Sequence, residues 1–215
     1  MYIPAPYAES RTEELHRMIR EHSLGMLVTH GPAGLDANHI PFLLDTSAET
    51  GPRLLAHVAR ANPVWQMGAA GSGGTDGTEV MVVFRGPSAY ISPNWYPGKH
   101  ETHRRVPTWN YEVVHAHGRM RMRDDEKFVR GVIARLTRQH EASQPEPWKM
   151  GDAPPDYIAE LMAHIVGIEI QVERLEGKRK LNQHHSAEDR QGAIEGLEAS
   201  GSAALAQAMK AAAGS

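Results

Sequence analysis

The residues of this chain best suited to chemistry crowd into its centre, in the segments RGPSAYISPNWYPGKHE (85–101) and VPTWNYEVVHAHGRM (106–120). They bring Asn94, Trp95, Tyr96, Trp109, Asn110 and Tyr111 together, with His100, His103, Arg104 and Arg105 in the loop between. Aromatic residues are only 6% of the chain, so this grouping is not expected by chance. Planar side chains beside amides and a short basic loop suit a flat, polar-edged, phosphorylated ligand. The plainer reading is an aromatic corner that packs a β-hairpin, since aromatics favour strands. On the residues alone both stand.

A second constellation lies in LLAHVARANPVW (54–65), where Arg60 follows a strand-like run and precedes Asn62-Pro63 and a helix start. A guanidinium beside free helix-terminal N–H groups makes an anion site. A lone arginine at a strand end is also an ordinary surface residue. Thirteen histidines raise the question of a metal. His115 and His117 share one strand face, yet no third ligand follows at a telling spacing and no HExxH occurs. No metal ligand is assigned, and His184-His185 reads as an exposed pair in a tail. Gly71-Ser72-Gly73 lacks the spacing of a nucleophile elbow, and no Gly-x-Gly-x-x-Gly joins a strand to a helix. No side chain stands out as an acid or base, so no catalytic residue is named.

These groups must be positioned by a chain of 215 residues, one domain or one domain with an appendage. It has no cysteine, which removes disulfides, thiolate metal sites and thiol nucleophiles and fits a reducing, cytoplasmic setting. The opening MYIPAPYAESRTEE has no basic region followed by an apolar run, so no signal peptide is expected. No stretch approaches the length of a membrane span. A net charge of −3 argues against a broad nucleic-acid surface. The tail helices are too acidic to serve as a DNA reader.

Ser10 and Glu13 predict a capped helix over roughly 10–22, with Leu15, Met18 and Ile19 on its inner face. MLVTHG (26–31) and LDANHIPFLLD (35–45) predict a hairpin, with Pro41 marking an edge or a bulge. RLLAHVA (53–59) predicts a third strand, PVWQMGAA a short helix, and GSGGTDGT (71–78) a flexible loop. EVMVVFRG (79–86), continuing through SAYIS, and EVVHAHGRMRMR (112–123) predict core strands. Asp124-Asp125-Glu126 starts a helix with Phe128, Val129, Val132, Ile133 and Leu136 as its stripe. After a Pro-rich connection and another short helix, IVGIEIQVERLEG (165–177) is the last strand, and helices follow near 187–198 and 202–213. The pattern is mainly β with flanking helices, an α+β chain built as a small closed or split antiparallel barrel.

MYIP, LDANHIPFLLD, AHVARANPVW, VFRGPSAYISPNWYP, VPTWNYEVVHAHG and EGKRKLNQHH, in this order across residues 1–185, resemble the PaiB family. These are FMN-binding split-barrel proteins, usually labelled negative transcriptional regulators. The resemblance implies an antiparallel Greek-key split β-barrel over residues 1–177, with 178–215 as a cofactor-closing segment and helical tail. It also implies a homodimer with FMN at the interface. Carried over by position, Arg60 would bind the FMN phosphate with His57, Ala59 and Asn62 beside it. Asn38, His39 and Pro41 would lie along the isoalloxazine ring. Trp109 and Asn110 would approach from the partner subunit, and Lys180 and Gln183 would close over the cofactor. Relatives generally read Gly-Lys-Trp-Lys-Leu-Ser-Gln-Asn-Arg at the tail, where this chain has Arg179, Asn182, His184 and His185 at the variable points.

The function this implies is flavin-dependent redox chemistry on a small molecule, or flavin-linked regulation. One alternative is a transcriptional repressor acting on DNA directly or through a partner, although DNA binding by the chain itself is expected to be weak. The other is haem binding or breakdown, which related split barrels carry out.

Overall fold

Almost every apolar run becomes a strand of one eight-stranded sheet. The strands are β1 (Ala8–Glu9), β2 (Leu24–Gly31), β3 (Gly34–Pro41), β4 (Leu43–Asp45), β5 (Arg53–Ala59), β6 (Thr78–Ile91), β7 (Thr108–Arg123) and β8 (Ile165–Lys180). Around them lie α1 (Thr12–Glu21), α2 (Pro97–Thr102), α3 (Glu126–Glu141), α4 (Pro155–Ala163), α5 (Ala187–Ala199) and α6 (Ala203–Ala213). The computed structural model describes residues 1–66 and 77–213, and the side chains of these except residues 100–102. Most of the loop predicted over 71–78, and the second half of the helix predicted at PVWQMGAA, lie outside the described residues.

The hydrogen-bonded path runs β3-β2-β6-β7-β8-β5-β4, and β1 pairs with β8. The expected β2–β3 hairpin forms antiparallel, from Leu24 opposite Pro41 to Gly31 opposite Gly34. The predicted single strand over 35–45 divides at Phe42. Its first part pairs with β2 and its second with β5. Pro41 has no N–H to continue a ladder, and the N–H of Phe42 turns instead to the carbonyl of Ser23 at 2.8 Å. The two ends of the path are therefore one residue apart in the chain, so the sheet curls round. Its ends are not paired, and the barrel is split rather than closed.

The chain forms two compact units. One comprises Met1–Met18, Arg85–Val114 and Glu176–Ser215; the other comprises Ile19–Phe84 and His115–Leu175. The second carries β2 to β5 and most of the curled sheet, and in it Leu27, Phe42, Leu54, Val82, Phe84, Ile168 and Ile170 are all buried. Each such side chain contributes about 1.5–3 kcal/mol by leaving water. Helix α3 starts where its sequence predicts, with the Asp125 carboxylate accepting the Phe128 N–H at 2.8 Å. Its Val132 and Leu136 pack on Leu55. Strands β7 and β8 approach closely at Gly118, where a Cβ would stand 2.1 Å from the carbonyl oxygen of Gln171.

The first unit has its own core, in which Ile91, Tyr96 and Leu181 meet Ile194, Leu197, Leu205 and Met209 of the tail helices. Gly192 and Gly196, one turn apart on α5, open a groove for Trp95, and a Cβ at Gly196 would lie 2.2 Å from its Cδ2. Trp95 is therefore held by its own chain. Among the described residues no helix is long and apolar enough to cross a membrane.

Candidate functional site

In the second unit, β3 and β5 carry five of the sequence-predicted residues, and the turn after β5 carries Arg60 and Asn62. Asn38 is half-buried and His39 and Pro41 are exposed, on the edge strand. The Nδ2 of Asn62 donates to Oδ1 of Asn38 at 2.8 Å, so the turn after β5 is tied to β3 by an amide pair. The Asn62 Oδ1 also accepts the Val64 N–H at 3.0 Å. Ala59 is exposed opposite Ile165, and His57 is half-buried opposite Gly167. Burial pushes the His57 imidazole below its ordinary pKa. Its Nδ1 is buried without a hydrogen-bond partner.

Arg60 is committed locally. Its Nη1 and Nη2 fork onto the two oxygens of Asp124 at 2.9 and 2.5 Å. Its Nε donates to the Ala163 carbonyl at 3.0 Å, and Nη2 also reaches that of Ile165 at 3.2 Å. Asp124 raises the Arg60 pKa and is itself lowered by the same pair. The adjoining cavity, of about 220 Å³, is lined by Arg60 together with Asp124, Asp125 and Glu126. Asp125 and Glu126 are paired with Arg123 and Arg130, so Asp124 is the acid that occupies the Arg60 fork. The structure thus gives Arg60 the surface ion pair that its position at a strand end also allowed.

In the first unit, Trp109 is 57% exposed and meets Tyr90 edge to face, with centroids 6.4 Å apart. Asn110 is fully buried, its Nδ2 lying 3.6 Å from the Sδ of Met209 and its Oδ1 unpaired. Strand alternation puts Trp109 outside and Asn110 inside. Gln183 is likewise spent: its Oε1 accepts the Leu181 N–H at 2.8 Å and its Nε2 donates to the Arg179 carbonyl at 2.5 Å. Lys180 donates to the Thr108 hydroxyl on the wall of a cavity. Burial, the largest influence, lowers its pKa; Tyr111 opposes this and Lys178 adds to it.

The unusual tail residues have partners that sequence reading missed. Arg179 is buried, with Nε 2.5 Å from Glu112 and Nη1 3.0 Å from Glu14 and 3.6 Å from Glu9. Glu9 is pulled down to about 2, by Arg11 first and by Arg179 as well. Asn182 sits at φ 61°, a left-handed position that asparagine tolerates. Its Nδ2 donates to the Tyr96 hydroxyl at 3.0 Å. The signal available was the set of glutamates at 9, 14 and 112, but only pairing of β1 with β8, from Ala8 opposite Lys178, brings Glu9 to this place.

A curled, split antiparallel sheet with flanking helices is a split barrel. It aligns at a TM-score of 0.59 with the flavocytochrome Anf3 from Azotobacter vinelandii, at 10% identity, covering 80% of this chain and 69% of that one. The FAD and heme binding protein from Mycobacterium smegmatis aligns at 0.56, with 12% identity, covering 87% of this chain and 80% of that one. At such identities the likeness speaks for the fold alone.

Sequence relatives go further. The chain belongs to the family described as "Putative FMN-binding domain", whose model matches residues 1–174. It is 34% identical to an uncharacterized protein of Aspergillus fumigatus, over 92% of this chain and 91% of that protein. The "Protease synthase and sporulation protein PAI 2" of Bacillus subtilis is 29% identical over 92% of this chain and 89% of its own length. The PaiB-type resemblance therefore holds, and FMN is the cofactor of the family.

The residues present suit that cofactor in part. Within the second unit, the Asn38–Asn62 pair offers amide edges. The unpaired Nδ1 of His57 is a polar atom still wanting a partner. Arg60 does not suit the phosphate while Asp124 occupies its fork.

Proposed function

We propose that this protein binds FMN and uses it, as a homodimer in the cytoplasm, for redox chemistry on a small molecule. The observation that carries the reading is the family match over residues 1–174, on a fold whose edge strand keeps Asn38 and His39 at its surface. When bound, the flavin supplies hydride or single-electron transfer, and the protein supplies position and electrostatics. Asn38 and Asn62 hold each other in one orientation, so their remaining amide atoms meet a ring edge without reordering. His57, kept neutral by burial, can give or take one hydrogen bond at a polar ring atom without adding charge.

Support for the dimer comes from the first unit, where Trp109, Tyr90 and Val106 are all large, apolar and exposed. Aromatic anchors of this kind dominate protein interfaces. The test is the absorption spectrum of the purified protein with an FMN titration. Flavin bands and one FMN per chain are expected; a Soret band alone, or no flavin uptake, would overturn the reading. Sedimentation at micromolar concentration checks the dimer, which Trp109→Ala should weaken.

A further inference from the structure

Helix α3 packs Val132 and Leu136 on the sheet and carries a second stripe, Ala134, Thr137, Arg138 and Glu141, whose spacing is that of one side of a helix. This stripe is one wall of a cavity of about 490 Å³ that lies wholly within the second unit. The facing wall is the Pro-rich connection after the helix, with Pro147, Trp148 and Met150. That connection is tied in place. The Trp148 N–H donates to the Glu141 carboxylate at 2.9 Å and the Lys149 N–H to that of Asp152 at 2.8 Å. Nη1 of Arg130 lies 3.8 Å from the Sδ of Met150. These bonds set the course of the connection beside α3, so the gap between the two is part of the fold.

Much of the lining is carbon: Ala134, Pro147, Met150 and the ring of Trp148, which is 43% exposed. The volume falls within the range of small-molecule pockets, and a flat indole at the wall gives an apolar body a surface to lie on. Charge selects the other end of the ligand. Arg138 and Lys149 also line the cavity, and neither is in an ion pair among the described residues. Glu141, the one carboxylate of the described lining, already accepts the Trp148 N–H. Two cations against one engaged carboxylate leave the rim positive. We propose that this cavity binds an apolar acid, a hydrocarbon body, alkyl or aryl, that ends in one carboxylate. The body lies against Trp148 and Ala134. The carboxylate meets Lys149 and Arg138, whose planar fork can take both oxygens. No residue of this lining is among those carried over to FMN, so the assignment stands or falls apart from the proposed function.

Calorimetric titration of the full chain tests it with two acids and their neutral counterparts: octanoate and octanol, naphthoate and naphthalenemethanol. At least one acid should bind at one site, about fivefold tighter than its alcohol, the scale of an exposed charge pair. The tighter acid names the body as alkyl or aryl. Arg138→Gln combined with Lys149→Gln, both at exposed positions, should remove that preference and leave the alcohol's affinity in place. Ala134→Phe puts a ring into the cavity and should abolish binding of acid and alcohol alike. Should that variant lose its fold, Trp148→Ala, at an exposed position, takes its place and should weaken both by a similar factor. Excess FMN should displace neither acid, and a chain that takes up no FMN gives the same titration. Failure of both acids to bind, equal affinity for acid and alcohol, a preference surviving the double substitution, or displacement by FMN would each overturn the assignment.

Discussion

Arg60 at the end of β5 and the Arg179-Lys180 pair at the end of β8 are both basic strand ends, yet they work under opposite conditions. Arg60 is partly exposed and answered by Asp124, with Asp125 and Glu126 near by. Lys180 is partly buried, its pKa lowered by that burial, in a cavity whose lining holds no acid among the described residues. Arg179, one residue earlier, faces the other way into three glutamates. Neighbouring residues on a strand point to opposite faces, so one cation is consumed by the structure and the next is offered to a ligand. The charge of a side chain says little about anion binding until its carboxylates are counted.

The harshest test of that comparison is Arg179→Met. It leaves Glu112, 4% exposed, without its Arg179 partner, while Glu9 keeps Arg11, and losing one partner of a buried ion pair costs about 3–5 kcal/mol. Urea unfolding should show a loss of that size. A loss below about 1 kcal/mol, the scale of an exposed pair, would mean that Arg179 is no more buried in effect than Arg60. Gly196→Ala comes next. Its Cβ would strike Trp95, and overpacking of this kind costs about 1–3 kcal/mol. A Tm unchanged by that substitution would show that the tail helix is not seated on Trp95.

The two cations are then compared directly by FMN affinity. Lys180→Met should lower it by about tenfold. Arg60→Ala should change it by less than about threefold, because Asp124 already answers the guanidinium. Asp124→Asn sharpens the contrast by freeing the fork. If Arg60 can serve a phosphate, FMN should bind more tightly to that variant than to the wild type, and Arg60→Ala should erase the gain.

Much of this was legible in the chain. Strand β5 lies where the RLLAHVA run places it, and α3 begins at the acidic cap that announces it. Alternation along 112–123 predicts a buried face of Val114, Ala116, Gly118, Met120 and Met122; the first four are buried and Met122 is half-buried. The strand over 35–45 was read as continuous because both halves are apolar. Proline marks the break, but only pairing partners decide that the halves part to opposite ends of the sheet. The candidate site was harder. Asn110 and Gln183 look like ligand amides by type, whereas one is sealed under α6 and the other closes its own turn. Asp124 as the partner of Arg60, and the glutamates around Arg179, are sixty or more residues away in sequence. Local pattern cannot pair residues so far apart, and His184-His185 read as an exposed tail pair for the same reason.

The smallest expected effect is on pH, and it separates the two regions once more. His185 is held below its ordinary pKa by burial first, then by His184 and Arg105, against a raising influence from Asp189. The groups facing it are those three charged or titratable side chains and the stacked Tyr96. A histidine depressed in the folded state stabilises the fold above its unfolded value of 6.5, and that contribution fades as pH falls towards the folded value. His57 has the same sign, so Tm should decline modestly from pH 7.5 to pH 5.5, ahead of any carboxylate loss. His185→Gln should lessen that decline and Arg60→Ala leave it intact, since no histidine lines the Arg60 cavity. A Tm unchanged across this window in the wild type would mean that burial leaves neither imidazole depressed.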